Sequence, residues 1–341
     1  MSVRKARVER AADGLGARVA RRTPLLYARG ADAALDRPAH VRAGSALARL
    51  GPSTLAVVQD DASFLAILEG VGGELTVRDV PLPAHDGVRQ FDDGRGNKKA
   101  KLDLEACLAF DGVLVAFGSG SSPKRERVVI VEGPTDLAPR VTIVEAHALY
   151  DAMRNNPNFT GSELNIEGAA IAGDDVLFLQ RGNGACAGDR QPVDASARVD
   201  RLALLAYLLG LARGANARSC PPLRDVVQWD LGTAGGTRLT FTDAVTTGSR
   251  WTAFLACAEA SPDATRDGPV AGVSIGRLDD RRGDAELGVI TDERGVPLLD
   301  KAEGIAFDVH DPRRAWLVVD RDDPDSPAEL LELGLGDGWA K

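Results

Sequence analysis

The sequence has no apolar run long enough to cross a bilayer as a helix. Its longest, "LALLAYLLGLA" from Leu202 to Ala212, falls well short of the roughly 20 residues required. Cysteine is scarce, four in 341 residues, and too scattered for a disulfide scaffold; Cys107 and Cys257 lie inside apolar runs and read as buried thiols. There are four histidines, no zinc-type cluster such as H-E-x-x-H and no Walker A loop. Zinc-protease and P-loop chemistry therefore find no support. The basic start, "MSVRKARVERAADGLGARVARR", leads into no apolar signal core, so a cytoplasmic location is expected.

What remains is ordinary globular composition, 44% hydrophobic and 27% charged, with a formal net charge of -9. That charge argues against nucleic acid or an anionic membrane as a partner.

An internal repeat organises the chain. "SALARLGPSTLAVVQDDASFLAIL" from Ser45, "LEACLAFDGVLVAFGSG" from Leu104, "IEGAAIAGDDVLFLQRGN" from Ile166, "TDAVTTGSRWTAFLACAE" from Thr242 and "AEGIAFDVHDPRRAWLVVDRDD" from Ala302 share one pattern. Each is a small-residue strand, a polar turn, a more apolar strand and a polar cluster. Ser45, Glu105, Glu167, Asp243 and Glu303 align at steps of 60, 62, 76 and 60 residues, each followed by Ala or Gly. This is the spacing of propeller blades with long loops. The expected fold is all-β, a propeller with five blades, or six if long inserts hide another.

Four strands per blade are found in the first, second and fourth repeats. The third has a long excursion and then "RLALLAYLLGL", a run that fits strand or helix. The fifth lacks its last strand, and "TPLLYAR", Thr23 to Arg29, is the segment left to complete it and close the ring. Residues 1–22 then form an N-terminal extension, whose spacing of Val8, Ala12, Leu15 and Val19 permits an amphipathic helix. Residues 23–341 form a single propeller domain.

In an up-and-down blade the first strand begins and the second ends at the same face. Glu105, Glu167, Asp243 and Glu303 should gather there with Asp60, Asp61, Ser119, Arg181, Asn183, Glu259, Asp320 and Asp322. Crowded carboxylates need relief. A hard cation such as Ca²⁺, held by Glu105, Glu167, Asp243, Glu303, Asp60 and Asp322, is one solution. Pairing with Lys101, Arg125, Arg181 and Lys301 is a second, and acceptance of backbone N–H bonds at blade seams a third. "GSGSSPKRER", Gly118 to Arg127, reads as an anion-binding turn or a plain hairpin loop. His85, in the long connection entering the second blade, is a candidate general base or a solvated loop residue.

The strand starts "NIEGAA", "KAEGIA" and "DLEACLA" resemble those of bacterial propellers that include phytase-like, esterase-like and SdiA-regulated proteins and, more distantly, gluconolactonases. The resemblance spans about residues 40 to 335. It implies Ca²⁺ at the channel mouth and, for some members, hydrolysis of phosphate esters or lactones. Two functions follow. One is a metal-dependent hydrolase of a small anionic substrate, with His85, Glu105 or Glu167 as base and Arg125 or Arg181 steadying the anion. The other is a binding module whose mouth holds a ligand or protein, with a structural cation or with charge pairs alone.

Overall fold

A computed structural model describes residues 4–10, 14–216, 219–247, 251–263, 266 and 268–340. It is all-β and propeller-like, built from antiparallel four-stranded units. The first unit is Gly44–Gly51, Thr54–Gln59, Phe64–Glu69 and Thr76–Pro81; the second is Leu104–Phe110, Val113–Gly118, Arg127–Glu132 and Arg140–Glu145. Ile166–Ala172, Asp175–Gln180, Asp194–Asp200 and Arg224–Asp230 form the third. The fourth is Thr240–Thr246, Thr252–Glu259, Val270–Asp279 and Asp284–Thr291. Lys301–Phe307, Arg314–Asp320 and Glu329–Leu335 make the fifth, and its outer neighbour is Ala17–Pro24, paired antiparallel to Glu329–Leu335.

The first strands touch in cyclic order, each against the next and the fifth against the first. Hydrophobic clusters fill the gaps between consecutive sheets. Phe117 of the second unit meets Phe178 of the third edge to face at 5.1 Å, and Trp316 and Val318 of the fifth pack with Leu55 and Val57 of the first. Because a sheet is covered on both faces, the second strands are continuous apolar runs rather than alternating ones. Thr252–Glu259 is buried at every position.

The N-terminal segment differs from expectation. Arg4–Arg7 runs parallel to Arg224–Asp230 and Glu9–Arg10 runs parallel to Asp284–Thr291, so Val8 lies in an extended segment and not on a helix. Ala12 lies outside the described residues. Ala17 and Val19 are buried while Arg18 and Ala20 are exposed, the period of a strand. The strand paired to the fifth unit is Ala17–Pro24 rather than Thr23 to Arg29, and a boundary between residues 22 and 23 falls inside it.

The third unit also differs. Its third strand is "DASARVD", Asp194–Asp200, and the apolar run after it is a helix, Arg201–Ala212, capped by Asp200, which accepts from the Ala203 N–H at 2.9 Å. The strand was hidden by its small and polar residues, which are buried here because the neighbours supply partners: Ser196 Oγ accepts from Trp229 Nε1 at 2.9 Å.

Where each first strand pairs with its second, the register slips by one residue near the entry. The slips fall between Gly44 and Ala46, Leu104 and Ala106, Ile166 and Gly168, Phe241 and Asp243, and Ala302 and Gly304. The extra residues of these β-bulges are Ser45, Glu105, Glu167, Thr242 and Glu303. The fourth member of the repeat is thus Thr242, one residue before the Asp243 chosen from the sequence. Small residues follow four of the five bulges, Asp243 following the other, because neighbouring backbones come close: a Cβ on Gly304 would lie 2.6 Å from the Leu47 nitrogen, and one on Gly168 would lie 2.9 Å from that of Ala244.

Candidate functional site

Four of the bulge residues, Ser45, Glu105, Glu167 and Glu303, and the ends of second strands open onto a cavity of about 780 Å³, which Thr242 does not line. Asp60, Glu105, Arg125, Glu167, Arg181, Glu303 and Asp322, all expected from the sequence, line it. Asp243 and His85 do not. Asp243 is buried in a seam, where its Oδ2 accepts from the Ile305 N–H at 2.8 Å and its Oδ1 from the Ala244 N–H at 2.7 Å. This carboxylate follows the third of the expected solutions and ties the fourth unit to the fifth. His85 sits in a turn with Val88, its ring half exposed and 3.6 Å from Asp86.

The charged groups fall into two clusters. In the first, the Lys101 ammonium contacts Asp60, lies 3.0 Å from Asp61 Oδ1 and 3.1 Å from Asp103 Oδ1. Arg125 reaches Asp103 Oδ2 at 2.9 Å, and the Ser119 hydroxyl donates to the same oxygen. Glu105 stands close by, so four carboxyls face two cations. In the second, Arg181 lies 3.3 Å from Glu167 Oε1 and 2.5 Å from Glu259 Oε2, and its Nε donates to Thr240 Oγ1 at 3.1 Å. Lys301 lies 3.6 Å from Glu303 Oε1, 4.0 Å from Asp320 and 3.2 Å from Asp322. Here five carboxyls face two cations.

The excess acid shows in the proton affinities. Burial, reinforced by Asp60, Glu167 and Asp103, pushes the Glu105 carboxyl well above the usual range. Glu303 moves the same way, burial and Glu167 outweighing Lys301. Burial raises Glu167 to about 7 against the pull of Arg181 and Lys301. Asp103 goes down: burial opposes its charge, but Lys101 and Arg125 outweigh it. The same carboxylates hold the Lys101 and Arg181 cations firmly protonated despite burial.

Asp60, Asp103 and Glu105 bring carboxylate oxygens within 4.8 Å of one another, close enough to share a cation. The cation that two of them already share is the Lys101 ammonium. A Ca²⁺ ion requires six to eight oxygens at about 2.3–2.6 Å. With Lys101 seated among them, these side chains do not fit a resident divalent ion. Three buried carboxylate oxygens at the mouth have no hydrogen-bond partner among the described residues: Asp60 Oδ1, Glu167 Oε2 and Glu303 Oε2.

The sequence reading named Lys301 as a partner for the acids but missed the inner ring to which it belongs. Asp103, Asn165 and Lys301 line the cavity, each two residues before a bulge glutamate, and Thr240 stands at the same place before Thr242. Asn165 Nδ2 donates to Glu167 Oε1 at 2.7 Å and to Asn183 Oδ1 at 3.1 Å, so Asn165 orients Glu167. A polar residue at one offset in four of five repeats was the signal available.

An all-β, propeller-like body whose first strands converge on a charged mouth is the class of protein these features define. The chain belongs to a family of unknown function, DUF6929, whose model matches residues 40–335. No protein of curated function matches it in sequence. Among solved structures it is similar to a PQQ-bound aldose sugar dehydrogenase from Streptomyces coelicolor, at 11% identity and a TM-score of 0.45, over 93% of this chain and 97% of that one. A protein of unknown function from Dyadobacter fermentans is similar at 9% identity and 0.43, over 94% and 99%. A streptogramin B lyase is similar at 10% identity and 0.39, over 86% and 94%. No helix among the described residues is long and apolar enough to cross a membrane.

Proposed function

We propose that the chain is a single five-bladed propeller, closed by the strand Ala17–Pro24, that binds a small polar molecule at its charged mouth and uses Lys101 and Arg181 in place of a structural ion. The cyclic contacts of the first strands support the blade count. The observation that carries the binding reading is the set of partnerless oxygens. Leaving a buried acceptor unsatisfied costs roughly 1–3 kcal/mol, more for a charged group, so Asp60, Glu167 and Glu303 are poised for donors brought from outside.

The test is a thermal-shift screen of polar metabolites, with every hit repeated on Glu303→Gln. A hit that stabilises the wild type and loses its effect in the variant supports the reading. Hits indifferent to the variant, or no hit at all, count against it.

A metal-dependent hydrolase is the second reading, favoured by the Asp60, Asp103 and Glu105 grouping and by the resemblance of "NIEGAA" and "KAEGIA" to phytase-like and SdiA-regulated propellers. It requires Lys101 to leave the carboxylates. Asp60, Asp103 and Glu105 would then hold a Ca²⁺ ion that supplies Lewis acidity, and Arg125 and Arg181 would steady an anionic substrate. His85 stands outside the cavity and has no part in this reading.

A further inference from the structure

The chemistry of the ligand can be narrowed, on the premise that the mouth is a binding site. Glu167 and Glu303 come from different sheets, both line the cavity, and both are about 4% exposed. Each spends one oxygen on an internal cation, Glu167 Oε1 on Arg181 and Glu303 Oε1 on Lys301. The second oxygen of each has no donor. The inner cations are committed: Lys101 to Asp60, Asp61 and Asp103, Arg181 to Glu167 and Glu259, and Arg125 to Asp103 and Ser121. Carboxyls still outnumber them, so what is missing is positive charge as well as hydrogen-bond donors.

A bare ion is a poor match for these two oxygens. Among the described residues, neither Glu167 nor Glu303 belongs to a set of three ligand groups within ion-sharing distance. The cavity of about 780 Å³ is also far larger than an ion. Donors carried on an organic skeleton, each with several N–H bonds, suit two such acceptors presented by different sheets. We infer that the mouth takes a small organic molecule bearing primary ammonium groups, which donate to Glu167 Oε2 and Glu303 Oε2. Lys98, Lys99 and Arg266 line the more exposed part of the same cavity, so the ligand presents its amine inward.

Matched probes test this by calorimetry on the full chain. 1,4-Diaminobutane and glucosamine are compared with their hydroxyl counterparts, 1,4-butanediol and glucose, and with succinate and CaCl₂ alone. The expected result is that at least one amine binds at least tenfold more tightly than its counterpart, and that Glu167→Gln and Glu303→Gln each weaken it severalfold. Circular dichroism of both variants checks that they fold. Equal binding of amine and hydroxyl probes, or preference for succinate, overturns the inference while the mouth remains a ligand site. Binding of Ca²⁺ alone overturns it in favour of the metal reading. No binding by any probe overturns the inference, and a metabolite screen that is also blank removes the binding reading beneath it.

Discussion

Replacing Glu167 by glutamine isolates the cost of keeping a carboxylate at the mouth. Glu167 is buried; its Oε1 accepts from Asn165 at 2.7 Å and faces Arg181 at 3.3 Å, and its Oε2 has no partner. Burial, with Glu259 adding to it, raises its pKa from 4.5 to about 7 even though Arg181 and Lys301 pull it down. The folded chain therefore holds this proton more tightly than the unfolded chain. The stability so gained is fully present below pH 4.5 and is lost as pH rises through 7. At about 1.4 kcal/mol per pKa unit, the full loss is roughly 3 kcal/mol. Glu167→Gln keeps an acceptor for Asn165, has no proton to lose, and leaves Arg181 its 2.5 Å contact with Glu259. With an unfolding entropy of about 2.1 cal/mol/K per residue over 341 residues, the variant should melt about 4 °C above wild type at pH 8.5 and level with it near pH 4.5. Scanning calorimetry across that range at fixed ionic strength reads the difference. A gap that does not change with pH, or a variant less stable at pH 8.5, refutes the reasoning and makes the Glu167 carboxylate a counterion that Arg181 needs.

Other substitutions probe the remaining parts. Lys101→Met leaves Asp60, Asp61 and Asp103 facing one another without their ammonium; chemical denaturation at pH 7.5 should record a loss of about 3–5 kcal/mol that shrinks on acidification as the carboxyls take up protons. Asp243→Ala strips the acceptor from the Ile305 and Ala244 N–H groups in the seam and should cost about 1–3 kcal/mol by the same assay. Because Asp243 is outside the cavity, calorimetry of that variant with 1,4-diaminobutane should match wild type.

The repeat was legible because the second strands, covered on both faces, write themselves as unbroken apolar runs such as "VLVAF" and "TAFLAC". The bulge was not. A one-residue register slip leaves no mark in composition, and in "FTDAV" the eye goes to the carboxylate of Asp243 although Thr242 holds the bulge position. Ala17–Pro24 was misplaced because only alternate residues of "ARVARRTP" need be apolar, which left its arginines looking like a solvated tail. Asp194–Asp200 was missed for a related reason: its buried polar atoms are matched by partners distant in sequence, such as Arg238, which reaches Asp194 at 2.6 Å. Of the site, the carboxylates were readable from the repeat. Their relief was legible only as three alternatives, pairing with Lys101 and Arg181 among them, because which cation reaches which carboxyl is set by the fold.

Whether internal cations or a metal hold the mouth together is decided by one measurement: metal content of chain purified without chelator, with melting followed before and after EDTA and on restoring Ca²⁺. Lys101 seated among Asp60, Asp61 and Asp103 predicts no stoichiometric ion and an unchanged melting temperature. One tightly held ion per chain, whose removal lowers the melting temperature and whose return restores it, would contradict the account and place the carboxylates on a metal.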